Sequence, residues 1–323
     1  MARNIHPLLQ REEMIFTPPD VAGKRILVTG SRGSIGTQVG DRLKELGAIV
    51  EGFDVADGFD VSDLATCMEL ISKFRPDAIV HLAAEKYATH AESDPYNVVN
   101  LNAHGTHYLC STAQKFGVKT LVAATTCKSI QPETVYGASK LISDRIVLNH
   151  GYTVGRFFNV VETAGNVFEI WGDRIKNNQE LHVTPCRRYF ISTNEAVGFM
   201  VHLLGVEPGR YAPFPGEPVL ITEMAERFAP GYPTKVLPPR RGDRLVEPLI
   251  GNHEAYILKG NLMVIDNPHD HPATDAEDGM LPAFEKAEKE NKKAASKPTA
   301  KKNAKKPAKT SPAKSKKPKA TVR

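Results

Sequence analysis

A glycine triplet set between two regular elements constrains this chain more than any other feature. Arg25-Ile26-Leu27-Val28-Thr29-Gly30 reads as a short strand whose apolar side chains run without alternation, as in a strand covered on both faces. Gly30-Ser31-Arg32-Gly33-Ser34-Ile35-Gly36 follows at once, and Val39, Leu43 and Leu46 then recur at helical spacing within Thr37–Gly47. Strand, tight glycine turn and helix in that order bring amides at a helix N-terminus up to a pyrophosphate. Asp54 ends the next strand, Ala48–Asp54, 18 residues after Gly36, where a carboxylate accepts hydrogen bonds from an adenosine ribose. The pattern predicts a dinucleotide site of Gly30, Ser31, Arg32, Gly33, Ser34, Ile35, Gly36 and Asp54. Asp54 would repel the extra phosphate of NADP, whereas Arg32 could pair with it. NAD or NADP is therefore the expected cofactor, with NAD slightly favoured.

Further strands are predicted at Ala78–Ala84, Thr120–Thr125 and Tyr152–Phe158, each preceded by a helix such as Leu64–Phe74. Alternating β and α elements imply an α/β fold, a Rossmann-type doubly wound parallel sheet with helices on both faces. Residues 1–24 form a lead-in and 25–160 the dinucleotide domain. From 161 to 282 Pro and Gly become common around helices at Thr193–Leu204 and near Thr222–Phe228, which predicts a smaller irregular substrate lobe with some return to the main domain. Residues 283–323 carry fourteen Lys and one Arg against three Glu, while the rest of the chain holds 27 basic and 34 acidic residues. The overall charge of +5 thus joins an acidic globular part to a basic tail. That tail has almost no large apolar residue and is expected to be disordered, with nucleic acid or another polyanion as a fitting partner.

Cys67, Cys110, Cys127 and Cys186 are widely spaced with no CxxC pair, which fits a reducing compartment and argues against a structural metal site. No run of about 18 apolar residues is present, so no membrane span is expected. The N-terminal residues lack the apolar stretch of a signal peptide, and the cytoplasm is the expected location.

Tyr136-Gly137-Ala138-Ser139-Lys140 places a phenol and an amine at i and i+4, on one helix face. Such a lysine lowers the phenol pKa, and the tyrosine can then take a proton from a substrate hydroxyl as hydride leaves for a nicotinamide.

With this pair a hundred residues beyond the glycine turn, the chain resembles the extended short-chain dehydrogenase/reductases. More narrowly, it resembles the polysaccharide-biosynthesis (CapD-like) family, which includes the inverting UDP-N-acetylglucosamine 4,6-dehydratases. The motifs span residues 5–265. Leu8-Leu9-Gln10-Arg11-Glu12 is similar to the family's lead-in, and Asp60-Val61-Ser62-Asp63 to its segment beside the adenine. His81-Leu82-Ala83-Ala84-Glu85-Lys86 resembles the strand that approaches cofactor and sugar, and Asn102-Ala103-His104-Gly105-Thr106 the helix with a structural asparagine. Asp60, Val61, Leu82, Ala83, Ala84 and Asn102 are accordingly expected on the cofactor side, with Lys86 on the substrate side. Asn159, Arg188 and the stretch Arg240-Arg241-Gly242-Asp243-Arg244-Leu245-Val246-Glu247 resemble substrate-binding segments. The resemblance assigns Asn159, Arg188, Arg240, Arg244 and Glu247 to a nucleotide sugar, with arginine forks suited to a diphosphate.

Thr125-Thr126-Cys127-Lys128, a short loop before Tyr136, resembles the family's Ser-Thr-Asp-Lys. It implies Tyr136 as base at the C4 hydroxyl, Lys140 as its electrostatic partner, Thr126 orienting that hydroxyl and Lys128 as base at C5. Cys127 departs from the pattern, because the family's aspartic acid protonates the departing C6 hydroxyl and a thiol, with an ordinary pKa of about 8.5, is a far weaker acid. The chain is expected to modify a nucleotide sugar, a UDP-N-acetylhexosamine, through a 4-keto intermediate in the manner of a 4,6-dehydratase. An epimerase, which needs no acid for a leaving group, is the alternative, and a non-catalytic sugar-nucleotide-binding protein with a polyanion-binding tail is a second. The resemblance also accommodates a homo-oligomer.

Overall fold

The computed structural model describes residues 6–239 and 243–266. Arg240 and the basic tail, 283–323, lie outside the described residues.

The first half alternates as the sequence predicts: β1 (Arg25–Thr29), α1 (Ser34–Glu45), β2 (Ile49–Phe53), α2 (Leu64–Phe74) and β3 (Ala78–His81). Then come α3 (Ala88–Ser93), α4 (Pro95–Val99), a π-helical turn at Asn100–His104, α5 (Gly105–Lys115), β4 (Thr120–Thr126), α6 (Val135–Asn149) and β5 (Thr153–Phe157). The second half is more broken: β6 (Asn159–Val160), α7 (Val167–Lys176), β7 (Leu181–Val183), β8 (Arg187–Arg188), β9 (Phe190–Ile191), α8 (Thr193–His202), β10 (Arg210–Pro213), β11 (Val219–Leu220), α9 (Ile221–Phe228), β12 (Thr234–Val236), β13 (Ala255–Lys259) and β14 (Leu262–Asp266).

Eight strands form one sheet in the order β13-β14-β10-β5-β4-β3-β1-β2. From β2 to β10 all neighbours are parallel, and the β13–β14 hairpin closes the far edge antiparallel. Consecutive side chains of a strand point to opposite faces, and both faces here are covered. Ile26, Val28, Ala78, Val80 and Val122 pack with α1 and α8 through Val39, Leu43, Phe199 and Met200. Leu27, Ile79, Leu121 and Ala123 pack on the other side with Cys67, Ile71, Leu109 and Cys110 of α2 and α5. Two cores, one per face, explain why β1 reads as an unbroken apolar run. All four cysteines are free and buried.

Local sequence fixes the helix ends. Asp63 accepts hydrogen bonds from the amides of Ala65 and Thr66 at the start of α2, and Thr134 accepts from Gly137 in α6. Each such cap is worth about 1 kcal/mol. Ser192 and Glu195 form a reciprocal capping box on α8, and Glu195 also pairs with Arg11 and accepts from the Met14 amide. The lead-in is thereby tied to the body of the protein. Phe168, Trp171, Leu181, Phe190, Ile221 and Met224 make a separate core among α7, α9 and the short strands.

Candidate active site

The chain passes from β1 outward to β2 and then crosses to β3 on β1's other side, so a crevice opens above the C-terminal ends of β1 and β3. Gly30, with φ +70°, turns the chain out of β1; a β-carbon there would stand 2.7 Å from the Ala83 amide nitrogen. At Gly36 it would lie 2.0 Å from the Gly30 carbonyl oxygen, so the loop can fold against α1 only without that carbon. Gly33, the residue before α1, places no side-chain cap on the helix amides.

A cleft of about 700 Å³ runs from this loop across the sheet edge. Of the residues assigned to the cofactor side, Gly30, Arg32, Gly33, Ser34, Ile35, Gly36, Asp54, Asp60, Val61, Leu82, Ala83 and Ala84 line it. Ser31 lies off the lining, its hydroxyl close behind the Gly52 backbone. Asn102 is also off the wall: it is buried, gives its amide hydrogens to the Glu85 carbonyl (3.0 Å) and Ser139 hydroxyl (2.9 Å), and accepts from the Glu85 amide (2.8 Å). It ties the stretch after β3 to α6. His81 sits beneath, 2.7 Å from the Thr29 hydroxyl and 3.0 Å from that of Thr106. Thr106 donates to the Asn102 carbonyl, so it accepts from His81 Nε2, and burial holds His81 neutral, down to about 3. Asp54 accepts from the Arg32 amide (2.9 Å) and the Ala56 amide (3.0 Å). The Arg32 guanidinium is paired with both oxygens of Asp57 (2.9 and 2.7 Å).

The cleft continues to Thr126, Lys128, Tyr136 and Lys140. Thr126 ends β4, and Cys127–Ser129 form a single 3-10 turn that the Ser129 hydroxyl closes onto the Thr126 carbonyl (2.7 Å). Tyr136 and Lys140 share a face of α6. Burial pushes the Tyr136 phenol up, while the Lys128 charge and the Thr126 hydroxyl act in the other direction. The Tyr-x-x-x-Lys spacing points to Lys140 for that electrostatic role; the charge that chiefly favours the phenolate here is that of Lys128. Burial brings Lys140 down to about 8 against the opposing pull of Asp144.

Cys127 is fully buried, and burial together with the Glu247 charge pushes its thiol up to about 12. Glu247, assigned from sequence to the nucleotide, faces this corner. Its Oε1 lies 3.1 Å from Lys128 Nζ and 3.1 Å from Arg188 Nε, and its Oε2 accepts from Asn159 Nδ2 (2.7 Å) and Cys127 Sγ (3.4 Å). Asn159 lines the main cleft and accepts from Lys128 Nζ (3.1 Å). Arg188, Arg244 and Glu247 line a smaller cavity of about 170 Å³ that shares Ala88 and Lys128 with the cleft. Both arginines are engaged: Arg188 also donates to the Arg244 carbonyl (2.7 Å), and Arg244 binds Glu133 (3.2 Å) and the Gln131 carbonyl.

Sequence reasoning missed one wall, formed by Tyr87 and the Thr163–Asn166 loop. The Ala164 carbonyl accepts from Lys86 Nζ (2.7 Å) and its amide donates to the Ser34 hydroxyl (3.1 Å), so this loop bridges the glycine turn and Lys86. Gly165 at φ +75° and the helix-capping Asn166 were its only sequence signals. Among the described residues, no helix is long and apolar enough to cross a membrane.

A glycine turn at a sheet switch point and a Tyr-x-x-x-Lys helix opening into the same cleft define an extended short-chain dehydrogenase/reductase. The chain belongs to the polysaccharide biosynthesis protein family, which it matches over residues 53–263. It is 27% identical over 277 residues to the probable polysaccharide biosynthesis protein EpsC of Bacillus subtilis, covering 73% of this chain and 46% of that one. It is 29% identical over 266 residues to an inverting UDP-N-acetylglucosamine 4,6-dehydratase of Campylobacter jejuni, covering 73% of this chain and 80% of that enzyme. In fold it resembles the UDP-glucose 4-epimerase of Thermus thermophilus, solved with NAD, with a TM-score of 0.63 at 22% identity over 69% of this chain and 89% of that one. The chain spans less than half the length of EpsC.

Proposed function

We propose that the protein binds a nicotinamide dinucleotide and a nucleotide sugar, a UDP-N-acetylhexosamine, and oxidises the sugar at C4. The observation that carries this reading is the opening of the glycine turn and of Thr126, Tyr136 and Lys140 into one cleft. The cofactor fits the residues present: β-carbons at Gly30 and Gly36 would collide with the backbone of Ala83 and Gly30, so the turn keeps its tight form only without them, and Gly33 places no side-chain cap on the α1 amides. Gly30, Gly33 and Gly36 would hold the pyrophosphate, Asp54 the ribose, and Leu82 to Ala84 the stretch reaching the sugar. The bound cofactor supplies hydride acceptance and return. Tyr136 takes the C4 hydroxyl proton, Thr126 orients that hydroxyl, and Lys128 and Lys140 supply positive charge. NAD is favoured over NADP, since Asp54 repels a ribose phosphate and Asp57 already occupies the guanidinium that would receive one.

The kinship with a 4,6-dehydratase supports elimination as the next step, which needs an acid at O6 and a base at C5. The fully buried Cys127 is no such acid at neutral pH, and this favours the second reading, hydride return to C4 as in an epimerase. Incubating the protein with UDP-N-acetylhexosamines and NAD or NADP, then resolving products by NMR, distinguishes 4-keto-6-deoxy from C4-inverted sugars. Tyr136→Phe is expected to lower turnover by about 10²–10⁴-fold. A parent protein that binds the sugar nucleotide and never reduces its cofactor would instead be a binding protein.

A further inference from the structure

Glu247 is 4% exposed, and each of its oxygens meets two donors. A carboxylate so filled has no lone pair left for a ligand. It reaches this position because residues 245–247 run beside β8: the Arg187 amide donates to the Leu245 carbonyl (2.7 Å) and the Glu247 amide to that of Arg187 (3.3 Å). The Lys128 side chain stays 39% exposed, at the boundary of the two cavities. Its Nζ is held from behind by Glu247 and Asn159, and Tyr136 lines the same cleft.

We propose that Glu247 is a positioning residue that holds the Lys128 ammonium beside Tyr136, so that Lys128 serves the C4 step as a fixed charge and takes no proton from C5. This rests on the reading of the site as a C4 oxidation site and narrows it: chemistry stays at C4, and the nucleotide is bound by groups other than Glu247. The charged and titratable groups around Lys128 agree. Glu247, Cys127 and Tyr136 are its near neighbours, Arg188 shares Glu247, and Glu92, Glu133 and Asp243 line the adjoining cavity. Burial works against the charged amine, but Glu247, Cys127 and Tyr136 together outweigh it, Glu247 most of all, and Lys128 is raised. Glu247 is lowered, since Lys128, Arg188 and the Asn159 hydrogen bond together overcome its burial.

The test uses the full chain and Glu247→Gln, with the Lys128 ammonium titrated by NMR on lysine-labelled protein. Glu247→Gln is expected to bring the Lys128 titration down by about one pH unit or more, the size expected for losing an adjacent opposite charge. The pH profile of cofactor reduction should move to higher pH, because the Lys128 ammonium, still charged, is no longer held beside Tyr136, where it favours the phenolate. UDP affinity should stay within about twofold. In D2O the parent should incorporate no deuterium at C5 of a UDP-N-acetylhexosamine, whereas Glu247→Gln should begin to. If Glu247→Gln does not fold, Glu247→Asp withdraws the charge by one methylene and gives the same shifts at smaller size. An unmoved Lys128 titration, a Glu247 variant that loses UDP binding, or C5 exchange in the parent overturns the proposal. The titration needs no substrate, so a moved Lys128 in a parent that oxidises no sugar overturns the reading of the reaction instead.

Discussion

The glycine-turn wall of the cleft is made by backbone, whereas the opposite wall, around Cys127, Lys128 and Glu247, is made by side chains. On the first wall the turn closes tightly because residues 30 and 36 lack a β-carbon, no side chain caps the amides at the start of α1, and Asp54 is steadied by two amides. On the second, one carboxylate collects a lysine, an arginine, an asparagine and a thiol from three stretches of chain. The backbone wall works at whatever charge its neighbours carry. The side-chain wall works only while each charge keeps its partner, so its failures should be larger and more dependent on pH.

That difference is sharpest in the buried ion cluster behind the side-chain wall. Asp144, within 3.5 Å of the Thr125 hydroxyl, binds Arg210 Nε (3.1 and 3.2 Å), and Glu254 binds Arg156 through both oxygens (2.7 Å each). These contacts join α6, β5 and β10 to the turn before β13. Asp144→Ala takes the nearest carboxylate away from the buried Arg210 and is expected to cost about 3–5 kcal/mol, read as a fall in the denaturant midpoint. A loss below about 1 kcal/mol would show that water replaces the carboxylate and that the wall is not charge-dependent. Arg156 helps hold Glu254 down at about 2 against its burial. Its ordinary value is near 4.5. A depressed carboxylate stabilises above its unfolded pKa, so this contribution is intact above about pH 4.5 and disappears as pH falls towards 2. Glu254→Gln should therefore flatten the acid limb of a stability–pH curve.

On the backbone wall, Gly36→Val is the matching break. Its β-carbon overlaps the Gly30 carbonyl, so the turn must shift by about an ångström, and NAD affinity is expected to fall by at least about 10²-fold. Urea stability should fall as well, because Gly36 is buried and the turn must give way, but by less than in Asp144→Ala, because Val39 and Leu43 still hold α1 in the core. Near-parental NAD affinity in a calorimetric titration would mean that the glycines only close a turn.

The same division explains what could be read in the sequence. A backbone site is encoded locally: strand, glycine turn, helix and strand-end aspartate follow one another directly, and their spacing implies their geometry. Tyr136 and Lys140 were legible for the same reason, since i and i+4 on a helix share a face. The pairing of Glu247 with Lys128 was not, because the two lie far apart along the chain and the place of Glu247 depends on residues 245–247 lying beside β8. The resemblance assigned Glu247 to the nucleotide, and nothing in the local sequence spoke for the other side. The Thr163–Asn166 loop escaped notice similarly: what marks it is a carbonyl facing Lys86 and an amide facing Ser34, and any residue other than proline could supply both.

The smallest effect comes where a side chain intrudes on the backbone wall. Arg32 stands in the glycine turn beside Asp54, and its guanidinium is held by Asp57 in an exposed bidentate pair. Pairs of this exposure are worth little, so releasing Arg32 can change a ligand preference by no more than about fivefold. Asp57→Ala should tighten NADP by that order and leave NAD unchanged, because Asp54 remains to receive the unmodified ribose. Asp54→Ala should relieve the repulsion directly and act more strongly, and the double variant should come nearest to equal affinity. If Asp57→Ala weakens both cofactors alike, the Arg32–Asp57 pair shapes the turn rather than masking a cation, and the proposed preference for NAD rests on Asp54 alone.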